Sequence, residues 1–562
     1  MSKTVAQKTC KDTGIEIPEA TENQVLRDRI AVLEAELEGQ RVEAERWKLL
    51  YLSSRQRLYG KKSEVSQAEH LDLFDEAELE NTCDVLEHSE AQVTAQSVRT
   101  YTRRANRNRT LTVGPDTPVV EIEHPCATPV CPCGSTMERT GSFSRDAIAV
   151  IPATKVVVRH LYPQYRCANC LGDEGENQTI TPSTDPSLLK GSICEPSLLS
   201  TIVTDKMGYG LPLYRQQQRF ASLGVDLSRQ AMSGWMMGAA QALAPLKAAL
   251  ERRIGDCALW NMDETSLQVL RVPGEQEARD CFMAVRVGTD GDGKAAVVLF
   301  DFLENRTNAS IASLIGGFGG VVQSDGLGGY TAAARQGNFT HIGCHVHARR
   351  KFADILKVQK SHKLASEAIG LYATFFHHER ELIEGRRAET PVGEEEYLVR
   401  RRAVLGADLE AIHDWLLAYQ KAAIPKTPLL GAINYALGRW EELNRFLDHP
   451  YATSSNNTAE NAIRPFVLAR KGFLFANTPQ GARASALYFS LTETCKAMGI
   501  DAHRYLTHLF ANAGNCQTET DWDAMLPGSA DLGDVDDHFA ALRGARLDPD
   551  RTKPYILRGK RY

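Results

Sequence analysis

No apolar run in this chain approaches the roughly 20 residues that a membrane-spanning helix needs. No basic stretch followed by an apolar one opens it either. These absences direct the reading to a cytoplasmic protein without a membrane partner. An excess of one charge is also missing, since 65 basic residues stand against 71 acidic ones, a net charge of −6. Affinity for nucleic acid therefore cannot rest on overall charge and has to come from local patches. Neither a serine nucleophile elbow nor a complete Walker loop occurs. That leaves serine acyl transfer and P-loop nucleotide hydrolysis without a carrier.

What is present is modular. At 562 residues the chain is long enough for several domains. A heptad pattern over 22–58 places Ile30, Leu37, Ala44, Tyr51 and Leu58 on one seam position. Leu26, Leu33, Gln40, Trp47 and Ser54 take the other. This predicts a coiled coil over 20–60 and self-association through it. The alternative is one amphipathic helix packed on its own protein. Residues 61–118 read as a polar linker ending in a basic run. Arg99, Arg103, Arg104, Arg107 and Arg109 fall there, with no acid from Ala91 to Pro115. Such a run suits phosphate contact, and it equally suits a solvated linker.

Cys126, Cys131, Cys133, Cys167 and Cys170 crowd into one stretch. In a cytosolic chain that pattern argues for metal rather than disulfides. A small zinc-finger-like β module over 119–172 is expected. Cys167 and Cys170 would form one half of the zinc site from a tight turn, with Cys131 and Cys133 in the other half. The second pair is one residue short, and Cys126 or His124 could supply the missing ligand. Residues 190–250 are helical in pattern. Pro196–Met207, Pro212–Leu223, a turn at Gly224 and a third helix capped by Ser228 make a helix-turn-helix outline. Arg229, at the start of that third helix, is a candidate DNA contact.

From 256 the pattern changes to strands. Cys257–Met262, Cys281–Val287, Ala295–Phe302, Gly319–Gln323 and Phe339–Cys344 read as five of them. A long helical stretch follows over 346–447. Strands followed by helices in this order predict a ribonuclease-H-like α/β core over 256–510. An insertion over about 353–450 and a C-terminal segment over 511–562 complete a multidomain α+β chain. Asp263 would end the first strand, Asp325 the fourth, and Glu460 would face them from a helix. Carboxylates are the hard ligands that magnesium or manganese prefers. Two such ions can stabilise the attacking and leaving oxygens of a phosphodiester. Any one of these acids alone is an ordinary turn or cap residue. The three in this order point to catalysis. Asn457, Glu460 and Arg464 share one helix face, and Arg470 and Lys471 follow. Cys344, His347, Arg349 and Arg350 form a second dense cluster. It reads as two metal ligands, as groups that meet DNA, or as a buried histidine beside a basic helix face.

These residues resemble transposases of the insertion sequence 66 family, within the larger Asp-Asp-Glu class. The matching pieces are Met262-Asp-Glu-Thr265, Gln323-Ser-Asp-Gly326 with Gly329-Tyr330, and Cys344 with His347 and Arg349-Arg-Lys-Phe352. Asn456-Asn-Thr-Ala-Glu460 with Ile463-Arg-Pro465, Leu211–Gln216, Tyr59-Gly60, Ser63-Glu64 and Leu526-Pro527 also match. The resemblance implies Asp263, Asp325 and Glu460 as a triad holding magnesium or manganese. It implies double-stranded DNA as the partner, both element ends and target, and it leaves room for accessory proteins of the same element. The rival expectation is a non-catalytic DNA-binding regulator descended from a transposase. Two departures stand out. Val130 occupies the family's first zinc cysteine position, and His345-Val346 replaces a Trp-Ala pair.

Overall fold

The computed structural model describes residues 192–543 apart from 275–276, 292 and 389–392. It also describes 29–30, 158, 188–189 and the strands at 165–171 and 177–180. Apart from Arg29 and Ile30, the expected coiled coil and linker lie outside the described residues. So do the basic run from Arg99 to Arg109, with Arg103, Arg104 and Arg107, and the cysteines Cys126, Cys131 and Cys133. Strand β1, Tyr165–Leu171, pairs antiparallel with β2, Asn177–Ile180, with an irregular register between Arg166 and Leu171. Cys167 and Cys170 lie within that irregular stretch, where five steps along β1 face two along β2.

Three helices then follow the predicted order. They are α1 (Pro196–Met207), α2 (Leu213–Ser222) and α3 (Arg229–Ala242). Pro196 opens α1, where a missing N–H removes nothing from the helix. Gly224 takes a positive φ of 71° in the turn between α2 and α3. Ser228 accepts from the Ala231 N–H at 3.2 Å and caps α3. Helix α3 seats Met232, Trp235, Met236 and Ala239 in the same core as the sheet, whereas Ser228 and Arg229 at its start are exposed. Helix α4 (Ala244–Gly255) leads into the sheet.

The sheet has five strands in the order β5-β4-β3-β6-β7. They are β3 (Leu259–Val269), β4 (Arg279–Thr289), β5 (Ala295–Leu303), β6 (Val321–Gln323) and β7 (Thr340–Ile342). The first three are antiparallel neighbours, while β6 runs parallel to β3 and β7 parallel to β6. This is a mixed α/β core. Helix α5 (Asn308–Ile315) joins β5 to β6, and α6 (Gly328–Gln336) joins β6 to β7.

One expectation is corrected. Asp263 does not end β3 but sits in its middle, opposite Val285 of β4. The polar run from Asp263 to Ser266 looks like a turn in isolation. Pairing with the apolar Phe282–Val285 segment of β4 holds it extended.

The insertion is helical as predicted. It holds α7 (His345–Val358), α8 (Lys363–Ala388), α9 (Glu394–Ala422), α10 (Pro428–Gly438) and α11 (Trp440–Asn444). It has its own apolar cluster, including Phe352, Tyr372, Phe375, Leu405 and Phe446, which reaches the sheet at Leu259, Val321 and Ile342. The chain returns through α12 (Asn457–Phe473), α13 (Pro479–Ala497) and α14 (Ala502–Asn512). Helices α15 (Glu519–Ala524) and α16 (Gly533–Arg543) follow. Trp522 and Leu526 join the sheet's core, so residues past 510 belong to its packing.

Edge strand β5 is closed by helix side chains. Ser490 accepts from the Phe300 N–H at 2.8 Å, and Thr494 bonds both the N–H and the carbonyl of Val298 at 3.0 Å. A bare edge would present these groups for pairing with another chain. Among the described residues no helix is long and apolar enough to cross a membrane.

Candidate active site

The acids are placed by three chain segments that a buried amide cluster ties together. Asn261 of β3 donates its side-chain amide to the Gln323 side-chain oxygen of β6 at 3.0 Å and to the Asn456 oxygen at 3.1 Å. Asn456 donates its own amide to the Met262 carbonyl at 2.8 Å. Gln323 donates to the Thr453 carbonyl at 2.6 Å. All three side chains are at most 3% exposed. Buried amides without partners would be costly, so this network specifies one arrangement of the segments.

Asp263 lies two residues after Asn261, and Asp325 lies two after Gln323. Asn261 and Gln323 are the last paired positions of two parallel neighbours. Both aspartates therefore lie just past the point where the β3–β6 pairing ends, and both bear electrostatically on the Tyr330 hydroxyl. Asp325 is held in its turn by the Leu327 N–H, which donates to its carboxylate at 2.9 Å. Gly326 packs directly under the Tyr435 ring from α10. A Cβ there would fall 2.0 Å from the Tyr435 hydroxyl oxygen.

Glu460 arrives in the first turn of α12, four residues past Asn456, and is 5% exposed. Its Oε1 is buried and has no hydrogen-bond partner. His347 Nδ1 stands 3.9 Å away. Burial pushes the His347 imidazole down to about 4, with Asp325 opposing and Arg350 and Lys351 adding to the shift. Electrostatic contact thus links Asp325 to His347, and proximity links His347 to Glu460.

The insertion braces the segment that delivers Glu460. Buried Arg401 of α9 donates to the carbonyls of Phe446, His449 at 3.1 Å and Ala452 at 2.9 Å. Glu379 of α8 accepts from the Ser454 N–H at 2.7 Å and from the Ser454 hydroxyl.

Residues 191–484 match the sequence model of the transposase IS66 family, and residues 490–527 match that of the IS66 C-terminal element. The chain belongs to the IS66 transposase family. An uncharacterized protein y4hP of Sinorhizobium fredii is 28% identical over 487 residues, 81% of this chain and 84% of the relative. Another from the same organism, y4jD, is 30% identical over 405 residues, 70% of this chain and 76% of the relative. A third, y4qI, is 28% identical over 397 residues, 69% and 71% of the two chains. Membership supports a transposase function and DNA as partner.

The departures from the family pattern and the basic candidates have definite places in the fold. His345 sits among Tyr372, Phe375, Trp440 and Phe446 at ring distances of 5.0–6.0 Å. Its Nε2 meets Asn444 Oδ1 at 3.2 Å, so an imidazole fills an aromatic socket and keeps a polar partner. Arg349 and Arg350, on α7 with His347, are 6% and 9% exposed. Arg464 is half-buried, and Lys471 is exposed. Arg470 donates to the Thr265 hydroxyl at 3.2 Å and to the Ser266 carbonyl, which ties α12 to β3.

Glu264 was undervalued by sequence reasoning. It points away from Asp263 as strand alternation requires, but it is buried and accepts from the Tyr330 hydroxyl. Burial first, then Asp325, pushes its carboxyl up to about 7, with the Tyr330 bond opposing. The signal was present as Glu264 and Tyr330 in two matching family segments.

Proposed function

We propose that the chain is a DNA transposase that cleaves phosphodiesters at its element's ends and joins the released 3′-hydroxyl to target DNA. In this reading the sheet and helix order is a ribonuclease-H-like core. Asp263, Asp325 and Glu460 are its Asp-Asp-Glu triad. The supporting observation is the amide cluster of Asn261, Gln323 and Asn456, which ties together three distant segments, each followed by one of the acids, where the β3–β6 pairing ends.

The residues fit a pair of magnesium or manganese ions. All three offer hard carboxylate oxygens, and Glu460 presents a buried oxygen without a hydrogen-bond partner. Ions bound there would activate water and stabilise the leaving oxygen. The three carboxylates do not bring their ligand atoms within 4.8 Å of one another. A two-ion site does not require it, because its ions stand about 3.5–4 Å apart. The Leu327 N–H fixes the Asp325 carboxylate, and the Asn456–Met262 bond fixes where α12 begins. Arg464, Lys471 and Arg229 are assigned to DNA phosphates, and Arg349 and Arg350, on the helix that carries His347, to the scissile DNA.

The remaining assignments belong to the same proposal. Residues 20–60 mediate self-association. The run Arg103, Arg104, Arg107 and Arg109 adds phosphate contacts. Cys131, Cys133, Cys167 and Cys170 hold zinc. Residues 190–250 act as a helix-turn-helix element. Accessory proteins of the same element are further partners.

The test is cleavage of a labelled duplex carrying the element's own end, with purified chain in magnesium. Strand cleavage that requires the divalent ion supports the proposal. Binding without cutting would establish the rival, a DNA-binding regulator.

A further inference from the structure

Among the described residues, one place brings three potential metal-ligating side chains together. Cys344, His347 and Glu460 each offer one ligand atom, and these atoms lie within 4.8 Å of one another. We propose that these three residues form a site for a thiophilic divalent cation of the zinc class.

The donor set carries the argument. Cysteine sulfur, histidine nitrogen and one carboxylate oxygen make a three-ligand zinc set with an open fourth position. Magnesium takes oxygen ligands, so a thiolate here selects zinc or cobalt instead. Cys344 is the N-cap of α7 and His347 lies in its first turn, three residues on. That spacing puts both on one helix face. Glu460 lies in the first turn of α12. Its Oε1 is buried, has no hydrogen-bond partner and sits 3.9 Å from His347 Nδ1. Tetrahedral bonds of 2.0–2.3 Å place neighbouring ligand atoms roughly 3.3–3.6 Å apart. The ligand atoms therefore need to close by about 1.5 Å or less, within the reach of small rotamer adjustments.

The surroundings support the set. The Asn456 N–H donates to Cys344 Sγ at 3.3 Å, the kind of outer contact that orients a metal-bound thiolate. Asp325 adds negative charge near His347, against the positive charge of Arg350 and Lys351. The family's Asp-Asp-Glu triad uses Glu460 as well. If the proposed function holds, and this clause rests on it, a soft ion here withdraws Glu460 from the hard-ion site.

The test is cobalt titration of the metal-free, reduced full chain, followed by absorbance of the sulfur-to-cobalt band. Cys344→Ser and His347→Gln are compared with the parent. Circular dichroism of each chain shows that the fold is retained. The cysteine-rich segment contributes equally to all three chains, so differences report on this site. The expected result is that each variant loses one equivalent of tight cobalt. Cys344→Ser also loses part of the sulfur band, and Glu460→Gln binds at least about 10-fold more weakly. Identical stoichiometry and spectra in parent, Cys344→Ser and His347→Gln would overturn the site. A cobalt difference in a chain that never cuts DNA would keep this site and remove the proposed function. Cutting in magnesium without any cobalt difference would do the reverse.

Discussion

Asn456 donates its side-chain amide to the main-chain carbonyl of Met262 across 2.8 Å, and Met262 is the residue before Asp263. Helix α12 starts at the next residue, Asn457, so this bond sets the distance between Glu460 and the strand that carries the first aspartate. It is a positioning contact, made by groups that need not touch substrate. Asn456→Ala leaves the Met262 carbonyl and the Asn261 amide short of a partner in a buried place. We expect a loss of about 1–3 kcal/mol in unfolding free energy. A misplacement of about 1 Å at the acids should lower cleavage roughly 100-fold. Denaturant melts and single-turnover cleavage measure the two effects. Full activity in a destabilised variant would show that the clasp only holds the fold together.

Gly326 gives a steric test of Asp325. No side chain fits between its backbone and the Tyr435 ring. Gly326→Ala must shift the Tyr435 ring, the Asp325 turn or α10. Its cleavage should fall about 100-fold while its melting temperature drops little. The double variant Gly326→Ala with Tyr435→Ala removes the clash and should recover part of the rate. If the double variant is no faster than the single one, the defect does not come through Tyr435.

The edge of the sheet depends on two hydroxyls. Thr494→Val keeps the shape but leaves the Val298 N–H without its helix partner. It should cost about 1–3 kcal/mol. Exposing a strand edge should also raise aggregation on heating, which light scattering during a thermal ramp would record.

Acid stability should report the Arg286 cluster. Arg286 is buried on β4 and pairs with Asp301 at 2.8 Å and Glu251 at 2.7 Å, while Lys247 reaches both. Burial works to raise the Asp301 carboxyl, but Lys247 and Arg286 outweigh it and hold it below 3.8. Glu251 lies below 4.5 for the same balance of reasons, burial against Arg286 and Lys247. A depressed folded pKa contributes stability above the unfolded value, and this contribution is lost as pH falls through the folded value. The wild-type urea midpoint should therefore decline on acidification below about pH 4. Arg286→Met should lose about 3 kcal/mol near neutral pH and show a shallower acid decline. An unchanged acid limb in that variant would assign the decline to other carboxylates.

Much of the sheet was legible because each strand is an apolar stretch bounded by Gly or Asp turns. The expected spans Cys281–Val287 and Ala295–Phe302 lie inside β4 and β5. Ser228 was legible as a cap because capping is local chemistry. The run past Asp263 was not, since its extended form depends on pairing with β4 and not on its own residues. The burial of Arg349 and Arg350 was hidden for a similar reason. Their motif shows charge, and only the packing of α7 against its neighbours α8 and α10 shows that the charge is covered. Least visible was Glu460 beside Cys344 and His347. Contacts between residues more than a hundred positions apart leave no spacing to read.

The central claim is that Asp263, Asp325 and Glu460 act as one metal-dependent site. The direct measurement is single-turnover cleavage of a labelled element end in magnesium by Asp263→Ala, Asp325→Ala, Glu460→Ala and Glu264→Gln. DNA binding and thermal melting are followed in parallel. The first three should bind DNA and fold but not cut. Glu264→Gln should retain cutting, because the amide can still meet Tyr330 and its side chain lies on the opposite strand face from Asp263. Wild-type cutting by any of the three alanine variants would contradict the account.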